Sequence, residues 1–413
     1  MACVVLHERA LADLAPSGLS ATLRARELDD GDVFVVDGSG ASQVALGTTL
    51  ASAPVAVCLS ADGPGPRVHL HDKVWRVTAA VGGQPAEVQV IPRQVDLFDR
   101  VRGVFETDVL QKRRVAVVGC GSGGSFIARE LAKAGVGHFL LIDHDRMEPG
   151  NICRHELGLS SVGRRKVAAL RELLLDRNPS AEVETLAVKL QGNTAEQVQQ
   201  AIASADLVIG ATDNRESRLL LNRACIANDQ PLLFGAVFRR AYGGQVLRVL
   251  PRITPCYQCF LNVLPQMGND QEIADEEDAA AIAYSDRPVA IEPGLSTDTL
   301  PVALMMTKIA ILLLLEGEQT TLAPLREDLV APLYLWLNRR EPGTDYEQLP
   351  PLEHRVDDMT ILRWYGVLLP RDPDCAACGQ FEENLLARYG LSDAELDTDF
   401  FSAEGAPDAE DPS

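Results

Sequence analysis

A glycine-rich turn in this chain has the spacing that brings a backbone close to a phosphate group. Gly119, Gly121 and Gly124 form a GxGxxG pattern, which follows the apolar run RRVAVVG and opens a segment of helical pattern. In such a turn, backbone amides and the helix N-terminus meet a phosphate. The pattern alone is a weak signal, because many dinucleotide-binding proteins share it.

Polar and cationic residues follow this turn. Asp143 ends the next apolar run, FLLID, at the place where an acidic side chain reaches a ribose hydroxyl in a dinucleotide site. An NAD-binding oxidoreductase explains the chain up to this point. It does not explain Asp145, Asn151, Arg154 and Lys166, which add polar and cationic groups just past the same nucleotide edge.

Four of the nine cysteines form two CxxC pairs, Cys256 with Cys259 and Cys375 with Cys378. This is the spacing of a closed tetrahedral Cys₄ zinc site, in which four thiolates leave the metal no open position for a substrate. We therefore predict a structural Zn²⁺ ion, with two pairs of ordinary buried thiols as the alternative. Disulfides are not expected, because the N-terminus lacks the basic and apolar regions of a signal peptide.

The elements that position these residues change in character near residue 95. Residues 1–95 hold short apolar runs broken by turn-forming residues, and they predict a small β-rich accessory domain. From Arg113 onward, β-type runs alternate with helical stretches, among them a helix predicted over 163–176. The alternation is typical of an α/β fold with a doubly wound, Rossmann-like, mostly parallel sheet.

Composition and charge narrow the range of partners. The 413 residues are 46% hydrophobic and carry a formal net charge of −21, which argues against a nucleic-acid partner held by a basic surface.

The apolar segment 300–315 contains Lys308 and is shorter than the ~20 residues of a membrane span, so we predict a buried helix. We expect a cytoplasmic protein without membrane contact. Residues 391–413 carry eight carboxylates and no Lys or Arg, which predicts an acidic C-terminal tail.

Several ordered motifs carry a more specific resemblance. The segments GCGSGGS, DHDRMEPGNICRH, GRRKVAAL and ATDNRESRLLLN resemble the ThiF/MoeB family, the adenylating core of ubiquitin-activating enzymes, over roughly residues 98–315. The resemblance implies an adenylation domain over 96–390 that includes the zinc site. The stretch between the two CxxC pairs is longer than we expect from compact relatives, so an insertion is expected near 316–370.

By this resemblance the motifs form one site for ATP and Mg²⁺. The implied nucleotide-binding set is Gly119, Gly121, Ser122, Gly124, Asp143, Asp145, Asn151, Arg154, Lys166, Asp213 and Asn214. Asp143 would bind the ribose, Asn151 and Arg154 the phosphates, Lys166 the triphosphate, and Asp213 a magnesium ion. Attack of a carboxylate on the α-phosphorus of ATP builds charge on phosphoryl oxygens, so cations must be placed there in advance.

Further arginines have supporting roles in the resemblance. Arg218 is expected to support the ATDN turn. Family members often bring an arginine from a segment ahead of the first strand, sometimes across a dimer interface, and Arg100 in LFDRVRG has a comparable place as a catalytic residue. Arg102 is the alternative, and either arginine could simply cap or solvate a helix. The resemblance also predicts a homodimer.

The chain departs from relatives that carry a thioester. Those relatives usually have a cysteine in the loop after the first CxxC, whereas the segment from Phe260 to Thr299 contains none. Cys120 and Cys153 lie near the nucleotide motifs, but each is more often a packing residue than a nucleophile. The resemblance thus predicts adenylation of the C-terminal carboxylate of a ubiquitin-like protein and transfer to an external thiol, such as a ubiquitin-conjugating-type enzyme. Similar chains occur in bacterial conjugation systems, some of them linked to phage defence.

Three other functions stay open at this point. The chain could adenylate a peptide or a tRNA-linked carboxylate, although the acidic composition counts against a tRNA. It could be an NAD-dependent oxidoreductase, but hydride transfer would leave Lys166 and Asp213 without a role. A non-catalytic binding module should lack the catalytic residues, which this chain retains.

Overall fold

The computed structural model describes residues 1–12, 20–28, 31–36, 52–70, 73–91, 98, 106–263, 294–350 and 359–379. The chain divides into two compact units, Met1–Asp99 and Arg100–Ser413. The predicted tail over 391–413 and the predicted catalytic Arg100 lie outside the described residues, as does Arg102.

The first unit is built around one closed sheet. Its elements are β1 (Cys3–His7), α1 (Glu8–Ala12), β2 (Ser20–Leu28), β3 (Val33–Val36), β4 (Ser52–Ser60), β5 (Arg67–Leu70), β6 (Lys73–Val81) and β7 (Gln84–Ile91). The strand order is β4-β2-β3-β1-β7-β6-β5, and an additional pairing of β4 with β6 closes the sheet on itself. Alternate residues of β4, namely Val55, Val57 and Leu59, lie in its apolar core. The predicted β-rich N-terminal domain is confirmed.

The second unit contains one mixed sheet of eight strands. The strands are β8 (Arg114–Val118), β9 (His138–Ile142), β10 (Glu182–Leu186), β11 (Leu207–Gly210), β12 (Leu232–Val237), β13 (Gly243–Val249), β14 (Leu333–Leu337) and β15 (Trp364–Val367). Their order is β10-β9-β8-β11-β12-β13-β14-β15. The pairings from β10 to β12 are parallel, and those from β12 to β15 are antiparallel. The predicted Rossmann-like sheet is therefore confirmed, with an antiparallel extension at one side.

Helices cover both faces of this sheet. They are α2 (Thr107–Leu110), α3 (Ser122–Ala134), α4 (Lys166–Arg177), α5 (Ala195–Ile202), α6 (Arg215–Ala227), α7 (Tyr257–Val263), α8 (Ser296–Leu314) and α9 (Leu325–Asp328). Val115 and Val117 of β8 pack with α3, α4 and α8, whereas Ala116 and Val118 pack with α5, α6 and α7. Both sides of each central strand are thus buried, which explains why these strands are continuous apolar runs.

The apolar segment 300–315 forms most of α8, as predicted. By length and composition alone this helix could cross a membrane, but half of its most apolar window is buried inside the structure. Val302, Met306 and Ala310 lie in the same apolar cluster as β8 and α3. The helix is therefore part of the core of the second unit.

The helix predicted over 163–176 begins later than expected. Gly163 has φ +84°, and Arg165 has ψ 130°, so neither residue is helical. Helix α4 consequently starts at Lys166, so this lysine belongs to the first turn of the helix. The prediction of a start at Gly163 was wrong. A residue with positive φ cannot lie inside a right-handed helix, so Gly163 belongs to the preceding turn and the helix begins after it.

Candidate nucleotide site

Most of the predicted nucleotide residues line one cavity of about 580 Å³ at the carboxyl ends of the central strands. The lining includes Gly119, Gly121, Ser122, Asp143, Asp145, Asn151, Arg154, Lys166, Asp213 and Asn214. They come from the turns after β8, β9 and β11 and from the start of α4. In open α/β sheets, ligands bind at this edge, beside the strand where the order reverses, which here is β8.

The turn after β8 requires glycine at two positions for packing reasons. Gly119 has φ +92°, and a Cβ there would lie 2.5 Å from the carbonyl oxygen of Ala211. A Cβ at Gly124 would lie 1.9 Å from the carbonyl oxygen of Gly119, so Gly124 supports the turn from behind and is not part of the cavity wall. Within the described residues, no side chain caps the start of α3, whose N-cap is Gly121. The amides of its first turn can therefore receive an anion.

Asp143 is held by two backbone amides. Its Oδ2 accepts a hydrogen bond from the amide of Cys120 at 2.7 Å, and its Oδ1 accepts one from the amide of Asp145 at 2.7 Å. The first bond ties the carboxylate to the glycine turn, and the second ties it to the turn after β9. Each oxygen keeps a lone pair with which it can accept a ribose hydroxyl.

Lys166 and Asp145 form a close ion pair. The Nζ of Lys166 lies 2.8 Å from Oδ2 of Asp145, and the amide of Lys166 donates to the carbonyl of Asp145 at 3.0 Å. Lys166 is only 8% exposed. Burial opposes the charge on Asp145, but the hydrogen bond and charge of Lys166 outweigh it and lower the pKa of this carboxyl. The ammonium group is thereby held at the cavity wall.

Asn151 and Arg154 lie on the segment that follows β9. The Oδ1 of Asn151 accepts a hydrogen bond from the amide of Glu148 at 3.1 Å, so a phosphate would meet its Nδ2 donor. The carbonyl of Arg154 accepts a hydrogen bond from Oγ of Ser122 at 2.7 Å. Ser122 thus joins the start of α3 to the segment that carries the predicted phosphate-binding arginine.

His155 is a site residue that the sequence reasoning missed. Its Nε2 donates to the carbonyl of Cys120 at 2.8 Å, and its Nδ1 accepts from the amide of Leu157 at 3.0 Å. Burial lowers the pKa of this imidazole, which favours the neutral form that these two bonds require. The only signal in the sequence was its position directly after Arg154 in NICRH.

The turn after β11 presents a carboxylate to the cavity. Asp213 is exposed, and its Oδ1 has a long contact of 3.4 Å with Nδ2 of Asn214. Asn214 caps α6 by accepting from the amide of Ser217 at 2.9 Å. Arg218 donates to the carbonyl of Thr212 from Nε at 3.1 Å and from its NH2 group at 2.8 Å, so it supports the turn as expected. An exposed carboxylate at the cavity wall is the type of ligand that Mg²⁺ uses, because this ion takes one or two carboxylates and completes its shell with water and substrate phosphates.

The two CxxC pairs meet in space. The Sγ of Cys256 lies 3.9 Å from that of Cys259 and 3.7 Å from that of Cys375, and the Sγ atoms of Cys259 and Cys378 are 3.4 Å apart. A tetrahedron of sulfurs with Zn–S bonds of about 2.3 Å has edges of about 3.8 Å, so this donor set fits a zinc ion. The hydrogen bond from Cys256 lowers the pKa of Cys259, which favours the thiolate that a metal needs.

Neither cysteine near the nucleotide motifs has the features of a nucleophile in the cavity. Cys120 is completely buried, and burial raises the pKa of its thiol. Cys153 is exposed, and it is not among the described residues that line the cavity. Within the loop from Phe260 to Thr299, residues 264–293 lie outside the described part of the chain.

Comparison with known proteins defines the family. Residues 92–331, more than half of the chain, match the model of the ThiF family. The chain therefore belongs to the ThiF family, and the match covers most of the α/β unit up to residue 331.

Individual relatives align with only part of their own length. The sulfur carrier protein ThiS adenylyltransferase of Bacillus subtilis is 33% identical over 159 residues, which are 38% of this chain and 46% of the relative. The SAMP-activating enzyme E1 of Haloferax volcanii is 31% identical over 166 residues, 40% of this chain and 59% of the relative. This chain thus spans about half the length of these curated relatives. Among solved structures, Escherichia coli MccB is 20% identical with a TM-score of 0.48, covering 66% of this chain and 69% of MccB.

Proposed function

We propose that this chain uses ATP to adenylate a carboxylate, and that the carboxylate is the C-terminus of a ubiquitin-like protein. The observation that carries the proposal is one cavity whose wall includes the uncapped start of α3 and the side chains of Asp143, Arg154, Lys166 and the exposed Asp213. Membership of the ThiF family supports it. The names of the two aligned relatives, an adenylyltransferase for a sulfur carrier protein and an activating enzyme, support it further.

The reaction requires placed charge and no protein nucleophile. An oxygen of the substrate carboxylate attacks the α-phosphorus of ATP, the bond to the bridging α,β-oxygen breaks, and pyrophosphate leaves with that electron pair. The amides at the start of α3 would hold a phosphate, and Arg154 would grip two phosphate oxygens with its planar fork. A magnesium ion bound at Asp213 would offset charge on the phosphate oxygens. Positioning and electrostatics are sufficient for this step.

Lys166 supplies a compact positive charge for the leaving pyrophosphate. Its partner Asp145 holds the ammonium group in position before ATP binds, which reduces the rearrangement needed during the reaction. Hydride transfer by an NAD-dependent oxidoreductase requires neither a buried lysine such as Lys166 nor a carboxylate that could bind a metal, such as Asp213, beside the phosphates. The arrangement therefore favours adenylation over hydride transfer.

The acceptor of the activated group is proposed to be an external thiol, such as that of a ubiquitin-conjugating-type enzyme. Cys120 is buried, Cys153 lies off the described cavity wall, and the sequence from Phe260 to Thr299 has no cysteine. A role in a bacterial conjugation system, including one for phage defence, belongs to the same proposal. So do a homodimer, an arginine at position 100 that reaches the phosphates, and a structural zinc ion at the four cysteines.

ATP–pyrophosphate exchange tests the proposed function. The purified protein is incubated with ATP, Mg²⁺, labelled pyrophosphate and a ubiquitin-like protein that ends in Gly-Gly, with a variant lacking the final glycine as a control. Exchange that requires the intact C-terminus supports carboxylate adenylation. Binding of the ubiquitin-like protein without any exchange would contradict it, and competition of ATP by NADH would point to the oxidoreductase.

A further inference from the structure

The turn that follows β12 contains two consecutive residues in the left-handed region of backbone space. Arg240 has φ +55° and Ala241 has φ +52°. Residues with a side chain rarely adopt this conformation, and two in succession persist only where the surrounding structure holds them. The support for this turn comes from a distant part of the chain.

Asn338 is the first supporting residue. Its Nδ2 donates to the carbonyl of Ala241 at 2.8 Å and to the carbonyl of Asp298 at 2.9 Å. Its Oδ1 accepts from Nε1 of Trp336 at 2.6 Å, which fixes the orientation of the amide. One side chain therefore joins the left-handed turn to the start of α8 and to β14.

Glu341 and Arg339 are the second support. Glu341 is 7% exposed, and its two oxygens lie 3.1 Å from Nε of Arg240 and 3.0 Å from Nε of Arg339. Arg339 also lies 3.6 Å from Asp298 and donates to the carbonyl of Arg240. Each oxygen of this buried carboxylate has its own guanidinium partner, which fixes the orientation of Glu341 and connects Arg240 to Arg339.

The same part of the chain packs under the turn. Phe238 and Tyr242 flank the left-handed residues, and they form an apolar cluster with Leu337. Partly buried residues packed against this cluster are Leu335, Tyr346, Leu349, Met359 and Ile361. All of these lie beyond residue 331, where the match to the ThiF family ends.

The supported turn forms one wall of the nucleotide cavity. Phe238, Arg239 and Ala241 line the cavity together with Gly294 and Thr299. Asp143 directly follows β9, and β12 lies three strands away from β9 in the sheet. At the usual spacing between strands, the carboxyl ends of β9 and β12 are roughly 14 Å apart. Asp143, the proposed ribose acceptor, is on the β9 side, and the turns after β8 and β11, which would hold the phosphates, lie between β9 and β12. The β12 wall is therefore where the acyl group attached to the α-phosphorus would lie.

We propose that Asn338, Arg339 and Glu341 are positioning residues that shape the acyl side of the cavity. The inference rests on the proposed adenylation, and it goes further by assigning a role to a segment outside the family match. None of the three is among the described residues that line the cavity. They hold the turn at Arg239–Ala241 in the conformation that receives the acyl end of the adenylate.

Two small molecules separate the nucleotide side from the acyl side. AMP reports the nucleotide side alone, and glycyl-sulfamoyl adenosine, a stable mimic of glycyl adenylate, reports both. Isothermal titration calorimetry measures both Kd values for the full chain and for Asn338→Asp, which keeps the shape of the side chain and removes its N–H donors. We expect the variant to bind the mimic about tenfold more weakly, as for loss of buried hydrogen bonds, and to bind AMP within twofold of the unaltered chain.

Three variants control this result. Asn193→Asp makes the same chemical change at an exposed position and should leave both Kd values unchanged. Adding Ala241→Gly to Asn338→Asp should restore binding of the mimic to within about threefold, because glycine adopts a positive φ without strain. Glu341→Gln keeps the volume of the buried side chain and should reproduce the selective loss, which gives a second test if Asn338→Asp does not fold.

The outcomes are distinguishable. If the unaltered chain prefers the mimic over AMP and both Asn338→Asp and Glu341→Gln keep that preference, the positioning role is overturned. Equal losses for AMP and the mimic would also overturn it, because they would show a general effect on the fold. If the unaltered chain binds the mimic no more tightly than AMP, the proposed adenylation fails as well.

Discussion

The ammonium group of Lys166 lies 2.8 Å from the carboxylate of Asp145, at the wall of the cavity that holds the glycine turn. This contact places a buried cation at the first position of α4. We expect Lys166→Ala to lower the rate of ATP–pyrophosphate exchange by about 10²–10³-fold, because it removes preplaced charge from the leaving group. Lys133→Ala, which removes an exposed lysine of α3 paired with Glu130, is the matched control and should have little effect.

The partner carboxylate gives a milder expectation. Asp145→Asn should retain Lys166 but release its orientation, so exchange should fall less than in Lys166→Ala, by roughly tenfold. Equal activity of Asp145→Asn and the unaltered chain would show that the ion pair does not position the lysine.

The neutral state of His155 predicts a pH dependence of stability. Burial lowers the pKa of this imidazole below its ordinary value of about 6.5. The unfolded chain then binds more protons than the folded chain between these two values, so the contribution to stability is present above about pH 6.5 and is lost as the pH falls toward the folded pKa. His155→Gln should flatten this part of the profile, whereas His69→Gln, at an exposed position, should leave it unchanged. Denaturant unfolding between pH 5 and 7.5 provides the measurement.

The glycine turn gives a prediction with a close internal control. Gly119→Ala should destabilise the second unit by about 1–3 kcal/mol, because of its positive φ and the carbonyl oxygen of Ala211 at 2.5 Å from the new Cβ. A Cβ at Gly123 meets no atom within 4 Å, so Gly123→Ala should be neutral or slightly stabilising within α3. Thermal unfolding of the two variants compares them directly, and a Gly119→Ala variant that is as stable as the unaltered chain would show that the turn tolerates a side chain.

The cysteine cluster predicts one zinc ion per chain. Metal analysis of the purified protein should find zinc, and Cys375→Ser should lose it and unfold at a lower temperature. Cys153→Ser, at an exposed cysteine outside the cluster, should keep the full amount of metal. A metal-free protein with unchanged stability after treatment with a chelator would contradict a structural zinc site.

The sequence predicted the parts of the site that depend on residues close together along the chain. The alternation of apolar runs and helical stretches indicated the parallel sheet, and residues placed after its strands, such as Asp143 and Asp213, meet at one edge. The start of α4 was predicted too early, because the motif GRRK contains no signal that separates its glycine turn from the helix.

Other features depend on contacts between distant segments. His155 has no sequence signal for its two backbone hydrogen bonds. The left-handed turn at Arg240 and Ala241 contains no glycine or asparagine that would signal it, and its contacts with Asn338 and Glu341 come from far along the chain. The closure of the first sheet by β4 and β6 likewise depends on pairing that strand patterns do not specify.

The most direct test of the central claim follows an oxygen atom from the substrate to AMP. A ubiquitin-like protein ending in Gly-Gly is labelled with ¹⁸O in its C-terminal carboxylate and incubated with this chain, ATP, Mg²⁺ and a thiol acceptor. If the carboxylate attacks the α-phosphorus, thiol attack on the acyl adenylate releases AMP that carries one ¹⁸O, as mass spectrometry would show. Formation of ADP with the ¹⁸O label in inorganic phosphate would contradict adenylation, because it would show attack at the γ-phosphorus. Unlabelled AMP after the acyl group has been transferred to the thiol would contradict it as well.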